Sequence, residues 1–286
     1  FTKADRLFNA FDFGHSILYE TLWSDPGAPS SKLEQDEYDF ITRKLLVSPP
    51  DVPLDESAIG PGWSRLVPEI IEMFEWTHML HRQIYDVWAD TRLSSSQKDA
   101  AIRKLIGYYK SRPALAFSSH PKDMNLMEGQ PYSLAFRKKY PKFNGVIWSY
   151  HWLQMALYDA MMTAGSKEEA KRNVDMTVAR FREMTLDGVE SLPSAMPMSP
   201  AIAPVFSARY PEAAIIFDNL HSLHDVVSDI LASTTIPRDM KRSMLLRAAA
   251  AYRDSTTSVT TVAEWKEMAE SMGAASMGGL PPVEHH

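Results

Sequence analysis

The sequence predicts an all-α fold in which one helical unit occurs twice. Apolar residues recur at helical spacing along most of the chain, and no segment shows the sustained alternation of a β-strand. A stretch that begins at Pro68 is also repeated 143 positions later, at Pro211. The 286 residues, 45% of them apolar, can bury a large core. We therefore expect one domain over residues 1–286, built from two repeats at about 4–111 and 143–254.

Four main helices are predicted in the first repeat. Residues 4–23 carry apolar side chains three and four positions apart and stop before the turn-forming sequence SDPGAPSS. Residues 31–47 begin with a serine and have acids in the first turn, as helices commonly do. A Pro- and Gly-rich loop over 48–62 leads to a long helix that ends near Asp90, and a serine-capped helix follows at 94–111.

The same order of elements recurs in the second half, after an irregular segment. A Pro-rich loop again precedes the copy of the long helix. The predicted helices of this half cover residues 143–162, 166–190, 211–229 and 237–254. Residues 271–286 are predicted to form a flexible tail, and His285 and His286 are left out of the chemistry because they resemble the stub of a purification tag.

Identical residues at one offset support a tandem duplication. At a slightly different offset of 139 positions, the sequence LYE that ends at Glu20 matches the sequence LYD that ends at Asp159. Shared helical composition explains the paired histidines and acids poorly, so a duplication is the simpler explanation. Glu75 and Asp218 share the offset from Pro68 to Pro211 as a conservative exchange of one acid for another. The identical pairs at this offset are Pro68/Pro211, Glu69/Glu212, Phe74/Phe217, His78/His221, Leu80/Leu223, His81/His224 and Asp86/Asp229.

Two acid–histidine pairs follow from helical geometry. Residues three apart share a face of a helix, so Glu75 projects beside His78, and Asp218 projects beside His221. A carboxylate and an imidazole in this arrangement can bind one metal ion. One such histidine alone is better explained as a hydrogen-bonded core residue, but its retention in both copies favours a shared metal site. Six side chains are supporting candidates, as further ligands or as groups that orient a ligand: His81, His224, His15, His151, Asp86 and Asp229.

This ordered set resembles the ferritin-like di-iron carboxylate superfamily. The matching motifs are EWTH (75–78) and DNLH (218–221), with one further acid on each of two other helices. The resemblance implies a pseudo-two-fold, ferritin-like bundle, to which this chain adds extra helices. It also implies two metal ions, with iron as the expected metal; copper, manganese and zinc are alternatives, and the additional histidines favour copper or zinc. The implied ligands are Glu20, Glu75, His78, Asp159, Asp218 and His221.

The predicted function is that of a metal-dependent redox protein with a dinuclear centre. If it is an enzyme, we expect an oxidase or oxygenase that activates O2 or peroxide. The expected partner is a small-molecule substrate or a metal ion. Two alternatives stay open: a non-catalytic protein that binds or stores copper or iron, and a helical interaction module whose histidines only hydrogen-bond within the core.

Composition argues against several other classes of protein. The net charge of −6 and the lack of a strong basic cluster argue against a nucleic-acid partner. The absence of cysteine excludes disulfides, thiolate ligands and a cysteine nucleophile. No apolar run reaches the roughly 18 residues of a membrane span. We expect a soluble protein, either cytoplasmic or, after processing, periplasmic or secreted; the sequence leaves its oligomeric state open.

Overall fold

The computed structural model describes residues 2–27, 29–53, 55–186 and 191–283. Within these ranges the all-α prediction is confirmed, since helices hold 73% of the residues and no strand is present. None of the helices in the described part of the chain is both long and apolar enough to cross a membrane.

The first half of the chain contains two long helices and several short ones. Pro61 and Pro68 each stand at the first position of a helix, where the missing N–H group costs no hydrogen bond. Turns of π-helix at Leu33–Glu37 and Ile41–Leu45 extend the second and third helices. The helices are α1 (Thr2–Ser24), α2 (Ser30–Lys32), α3 (Tyr38–Phe40), α4 (Glu56–Ile59), α5 (Pro61–Leu66), α6 (Pro68–Ala89) and α7 (Ser95–Lys110).

The second half follows a similar order. It has two short helices before its first long helix, and two further helices follow its last long helix. A short 3-10 helix at Ala274–Met277 is the last helical segment of the described residues. The last four residues of the helix predicted over 166–190 lie outside the described residues. The α-helices are α8 (Asn125–Glu128), α9 (Ala135–Lys139), α10 (Pro141–Met162), α11 (Lys167–Leu186), α12 (Ser199–Ile202), α13 (Pro204–Arg209), α14 (Pro211–Ala232), α15 (Arg238–Arg253) and α16 (Val262–Met272).

Helix bounds recur at the offsets found in the sequence. The helices α12, α13, α14 and α15 each begin and end 143 positions after α4, α5, α6 and α7. The long helix α10 begins 139 positions after α1, at the offset of the LYE and LYD sequences. Both long helices α6 and α14 start at a proline that follows closely after a short helix.

The helices α10 and α14 form the centre of the protein. Every residue of α10 from Phe143 to Met161 is buried, as is every residue of α14 from Ala213 to Ala232. A helix that is covered on all sides places its polar side chains inside the protein as well as its apolar ones. The histidines of α10 and α14 therefore lie in the core, where α1 and α6 pack against these two helices.

The carboxy-terminal segment differs from the flexible tail predicted over 271–286. Met277 is fully buried, and the indole N–H of Trp152 donates to the carbonyl oxygen of Gly279 at 2.6 Å. Gly278 has a φ of 101°, and a Cβ there would lie 3.0 Å from the Trp152 ring, so glycine allows the chain to turn close to the core. Residues 284–286, which include both histidines of the suspected tag, lie outside the described residues.

Two lysines donate hydrogen bonds to backbone carbonyl groups at the carboxy-terminal ends of α6 and α14. Lys98 donates to the carbonyl oxygen of Trp88 at 2.7 Å. Lys241, which stands 143 positions later, donates to the carbonyl oxygens of Leu231 and Ser233 at 2.5 and 3.0 Å. The last carbonyl groups of a helix have no partner within it, so each lysine satisfies groups that the helix leaves free.

Replacing Lys241 by methionine should destabilise the protein more than the matched change at Lys98. Lys241 is buried and serves two carbonyl groups, so we expect Lys241→Met to lower the free energy of unfolding by about 2 kcal/mol. The half-buried Lys98 serves one carbonyl group, and Lys98→Met should cost less than about 1 kcal/mol. Urea unfolding of both variants measures the difference. Equal losses would contradict this role for Lys241.

Candidate metal centre

Six histidines meet in the core between the four long helices α1, α6, α10 and α14. Each is at most 7% exposed, and two are completely buried. The two histidine pairs that the repeat predicts are among them, together with one histidine from α1 and one from α10. The six are His15, His78, His81, His151, His221 and His224.

Three of these histidines approach one another closely enough to share one metal ion. His15, His151 and His224 each offer a ring nitrogen, and these three atoms all lie within 4.8 Å of one another. Among the described residues this is the one group of three histidine or acidic side chains with such spacing. The ring of His224 lies 4.4 Å from that of His15 and 5.5 Å from that of His151, measured between centroids. Three imidazole nitrogens are a common donor set for transition-metal ions in proteins.

Hydrogen bonds leave a free nitrogen on each ring of the group. His15 Nδ1 lies 3.0 Å from the carbonyl oxygen of Phe11, which can only accept, so Nδ1 carries the proton and the lone pair is on Nε2. His224 Nδ1 and His151 Nε2 share one hydrogen bond of 3.4 Å. No hydrogen-bond partner is found for His15 Nε2, His151 Nδ1 or His224 Nε2. The group thus holds lone pairs that the surrounding protein leaves unused.

The buried rings are held in the neutral form that binds metal ions. Burial, together with the nearby His78, lowers the pKa of His15 from its usual value to about 3. Burial is also the main cause that lowers the pKa values of His151 and His224 well below the usual range, with neighbouring histidines adding to the effect. A neutral imidazole needs to lose no proton before it coordinates an ion.

Two further histidines border the group and also have free nitrogens. His221 stacks on His151 with ring centroids 4.1 Å apart, and neither of its ring nitrogens has a hydrogen-bond partner. The hydroxyl of Tyr158 lies 2.8 Å from His81 Nδ1 and 3.3 Å from the His81 carbonyl oxygen. If this hydroxyl donates to the carbonyl oxygen, it accepts from Nδ1–H and leaves the lone pair on His81 Nε2. The rings of His81 and His221 are 5.9 Å apart.

His78 has a different partner from the other five histidines. Its Nδ1 lies 3.4 Å from Oδ1 of Asp12, and Oδ2 of the same carboxylate pairs with Arg82 at 3.0 Å. The His78 ring lies 5.6 Å from that of His224. His78 thus sits at the edge of the cluster, beside a charged pair that faces the surface.

Two of the acids predicted as ligands bind helix termini instead of joining the histidine group. Glu20 accepts a hydrogen bond of 2.7 Å from the backbone N–H of Trp63, in the first turn of α5. Asp159 accepts bonds of 2.9 and 2.8 Å from the backbone N–H groups of Val205 and Phe206, in the first turn of α13. The first N–H groups of a helix lack partners within it, so these carboxylates satisfy them.

The acids of the two predicted acid–histidine pairs, Glu75 and Asp218, also lie apart from the histidine group. Asp218 accepts from the backbone N–H and the hydroxyl of Ser199, at 3.0 and 2.5 Å, and from the indole N–H of Trp265 at 2.8 Å. Burial raises the pKa of Asp218 to about 7 despite these donors. Glu75 is exposed on the outer face of α6, where partial burial and then nearby acids raise its pKa.

The two supporting acids also lie away from the group. Asp229 accepts from the backbone N–H groups of Leu134 and Phe136, both at 2.8 Å. Its counterpart Asp86 is exposed at the far end of α6. The structure therefore brings the histidines together and places the acids elsewhere, and a role for the acids as ligands stays a prediction.

The repeat pattern gave too little weight to His15 and His151. At the offset of 139 positions between α1 and α10, His151 corresponds to Asp12, and His15 corresponds to Gln154. Neither histidine has a histidine partner in the other half, so a comparison of the halves does not select them. The continuous apolar character of α10 is the signal that could have found His151, because a polar residue in such a helix must lie inside the protein.

Comparison with protein-family models, with curated proteins and with solved structures finds no match to this chain.

The two helix-capping acids differ by one methylene, and the residues beside them compensate. A Cβ on Gly62 would lie 2.7 Å from a carboxylate oxygen of Glu20. In the second half, the shorter Asp159 lies beside Val205, which stands 143 positions after Gly62. The longer acid, Glu20, thus lies beside glycine, and the shorter acid, Asp159, lies beside valine.

This pairing can be tested with a double-mutant cycle. Gly62→Val should lower the free energy of unfolding by about 2 kcal/mol, because the new side chain collides with the Glu20 carboxylate. Adding Glu20→Asp should recover at least half of that loss, since it reproduces the pair of the second half. Urea unfolding of the two single variants and the double variant measures the coupling. Simply additive effects would contradict a capping role for Glu20.

Proposed function

We propose that this protein binds transition-metal ions in its buried histidine core and uses them for redox chemistry. The observation that carries the proposal is the approach of the ligand atoms of His15, His151 and His224 to within 4.8 Å of one another. A buried polar group without a hydrogen bond costs about 1–3 kcal/mol. Several ring nitrogens of the core are in this situation, and a bound ion would offset that cost by accepting their lone pairs.

The donor set favours copper over the iron that the family resemblance implies. Imidazole nitrogens suit copper and zinc, whereas the di-iron pattern needs carboxylates that point at the ions. Glu20, Asp159 and Asp218 instead accept hydrogen bonds from backbone N–H groups and from other side chains. We therefore propose copper as the functional metal, with zinc as its nearest competitor for the same nitrogens.

The first ion would be held by His15, His151 and His224. A second ion, as a dinuclear centre requires, would be held by His81 and His221, whose free nitrogens border the group. Copper bound in this core would supply one-electron redox chemistry and a binding place for O2 or peroxide. The hydrogen bond from His15 Nδ1 to Phe11 fixes the orientation of that ring, which presents Nε2 to the centre.

Aromatic side chains of the core would keep water away from the ions. The Phe74 ring packs against His224 at 4.3 Å, and the Phe217 ring packs against His81 at 3.4 Å, measured between centroids. Tyr150 is fully buried beside His15, with ring centroids 5.9 Å apart. Such an environment has a low dielectric constant, which strengthens the interactions of any charge placed there.

We further propose that the two halves are related by duplication and by a pseudo-two-fold axis. Equivalent tyrosines support this relation, because each donates to a histidine of the other half. The hydroxyl of Tyr19 donates to the carbonyl oxygen of His224 at 3.4 Å, and that of Tyr158 donates to the carbonyl oxygen of His81 at 3.3 Å. The phenylalanine rings also contact histidines of the other half, Phe74 with His224 and Phe217 with His81. The helix bounds that recur between α4–α7 and α12–α15 agree with it.

Metal storage without turnover is the second candidate function. The complete burial of His151 and His221 favours it, because a substrate has no direct approach to these rings. Oxygen consumption by the copper-loaded protein in the presence of ascorbate separates the two functions. Turnover supports the redox proposal, and tight binding of copper without turnover supports storage.

Copper binding should depend on the histidines of the group. We expect His15→Gln and His224→Gln each to weaken copper binding at least about 100-fold, since each removes one of three nitrogens. The matched control is His120→Gln, because His120 is exposed and lies outside the cluster. Metal analysis after loading and desalting measures bound copper, and circular dichroism confirms that each variant is folded. Folded variants that retain full copper would contradict the proposed ligands.

A further inference from the structure

A small cavity lies between α14, α16 and the two chain segments that precede α8 and α12. Its volume is about 20 Å³, which is enough for one water molecule or one ion of similar size. Methionine is the most frequent residue type in its wall. The methionines are Met124, Met196, Met198 and Met268, and the other lining residues used below are Lys122, Asp218, Ser222 and Trp265.

The four methionines extend from the surface of the protein towards its core. Met124 and Met268 are partly buried, whereas Met196 and Met198 are each only 2% exposed. The hydroxyl of Ser222 donates to the Sδ atom of Met196 at 3.6 Å, so this sulphur atom lies at the α14 wall of the cavity. The cavity therefore has a buried sulphur donor on its inner side and two partly buried methionines on its outer side.

A buried carboxylate without a cation lies in the same wall. Asp218 accepts hydrogen bonds from Ser199 and from the indole N–H of Trp265, but among the described residues it forms no ion pair with a lysine, an arginine or a histidine. Lys122 also lines the cavity, but its ammonium group donates to two backbone carbonyl oxygens elsewhere. A buried charge is costly without a partner of opposite charge, so the space beside Asp218 favours a cation.

The methionines of this wall are not a feature that the two halves share. At the offset of 143 positions, Pro53 and Asp55 stand where the second half has Met196 and Met198, and both are exposed. Leucine or isoleucine would also cover the buried face of α14, and their rotamers are better defined. Methionine adds a polarizable sulphur with a lone pair, so methionine at these positions favours a ligand for that sulphur.

We propose that this cavity binds one soft monovalent cation, copper(I), through the thioether sulphurs of its methionines. Soft sulphur donors select copper(I) over hard ions such as magnesium(II). The carboxylate of Asp218 would balance the charge of the ion, and the indole ring of Trp265 in the same wall would add a cation–π attraction. None of the six core histidines lines the cavity, so the site requires no ion in the histidine core and goes beyond the proposed redox function.

An NMR titration of protein with ¹³C-labelled methionine methyl groups tests this site. Silver(I) serves as the probe because it is a soft monovalent ion that air does not oxidise, and the protein is first freed of metal by chelation. We expect silver(I) to shift the methyl signals of Met196 and Met268 before that of Met240, which is exposed on α15. Magnesium(II) should leave the cavity signals unchanged, because thioethers are poor ligands for hard ions. No shift of the cavity signals with silver(I), or equal shifts with magnesium(II), would overturn the proposal.

Substitutions locate the bound ion. Met196→Leu combined with Met268→Leu keeps the apolar volume and should weaken silver(I) binding, followed at the methyl signal of Met124, at least about tenfold. Met240→Leu is the matched control and should leave the binding unchanged, with melting temperatures showing that each variant is folded. His224→Gln removes a nitrogen of the histidine group and should also leave the cavity shifts unchanged. Cavity shifts that disappear in His224→Gln, or silver(I) binding that is unchanged in the double variant, would overturn the assignment.

Discussion

The nitrogens of a buried imidazole ring need partners, and the arrangement at the centre of this protein depends on that constraint. Six histidines lie in the core, and burial keeps the pKa values of all six below the ordinary value, so the rings are neutral. A neutral ring has one nitrogen that donates and one that accepts, and each needs a partner when water is excluded. The protein supplies some of these partners, such as the carbonyl oxygen of Phe11 and the hydroxyl of Tyr158. Other ring nitrogens have no partner in the protein, and we propose a metal ion as that partner.

Backbone groups at the ends of helices also need hydrogen-bond partners, and this requirement accounts for the positions of the acids. Short helices pack against the long ones, and their first N–H groups would be buried without partners. Glu20 and Asp159 accept hydrogen bonds from backbone N–H groups in the first turns of α5 and α13, and Asp229 does the same for α9. Lys98 and Lys241 act in the same way on carbonyl groups at the other ends of the long helices. These charged residues thus connect helix ends, and none of them joins the histidine group.

The sequence predicted the helices well because they depend on local information. Apolar spacing, prolines at first positions and serine caps are visible within a few residues, and the bounds of α6 and α14 follow from them. The roles of the acids depend on partners far along the chain. Glu20 and Trp63 are 43 residues apart, and Asp159 and Phe206 are 47 residues apart. An acid three residues before a histidine looks the same on a helix whether it binds an ion or a backbone group.

The histidine group was predicted only in part, for a reason that lies in the repeat. Residues present in both halves received the most weight, which selected His78 and His221. The group whose ring nitrogens all lie within 4.8 Å of one another instead combines His224 with His15 and His151, which have no histidine counterpart in the other half. Asp12 and Gln154 occupy the equivalent positions, so the halves differ where the group forms. A site that depends on such a difference cannot be found by searching for symmetry.

X-ray absorption spectroscopy of the copper-loaded protein tests the central claim most directly. The account predicts imidazole nitrogens at about 2.0 Å from copper, with the outer-shell scattering of histidine rings and no carboxylate contribution. A coordination sphere made mainly of carboxylate oxygens, or copper that washes off the folded protein, would contradict it.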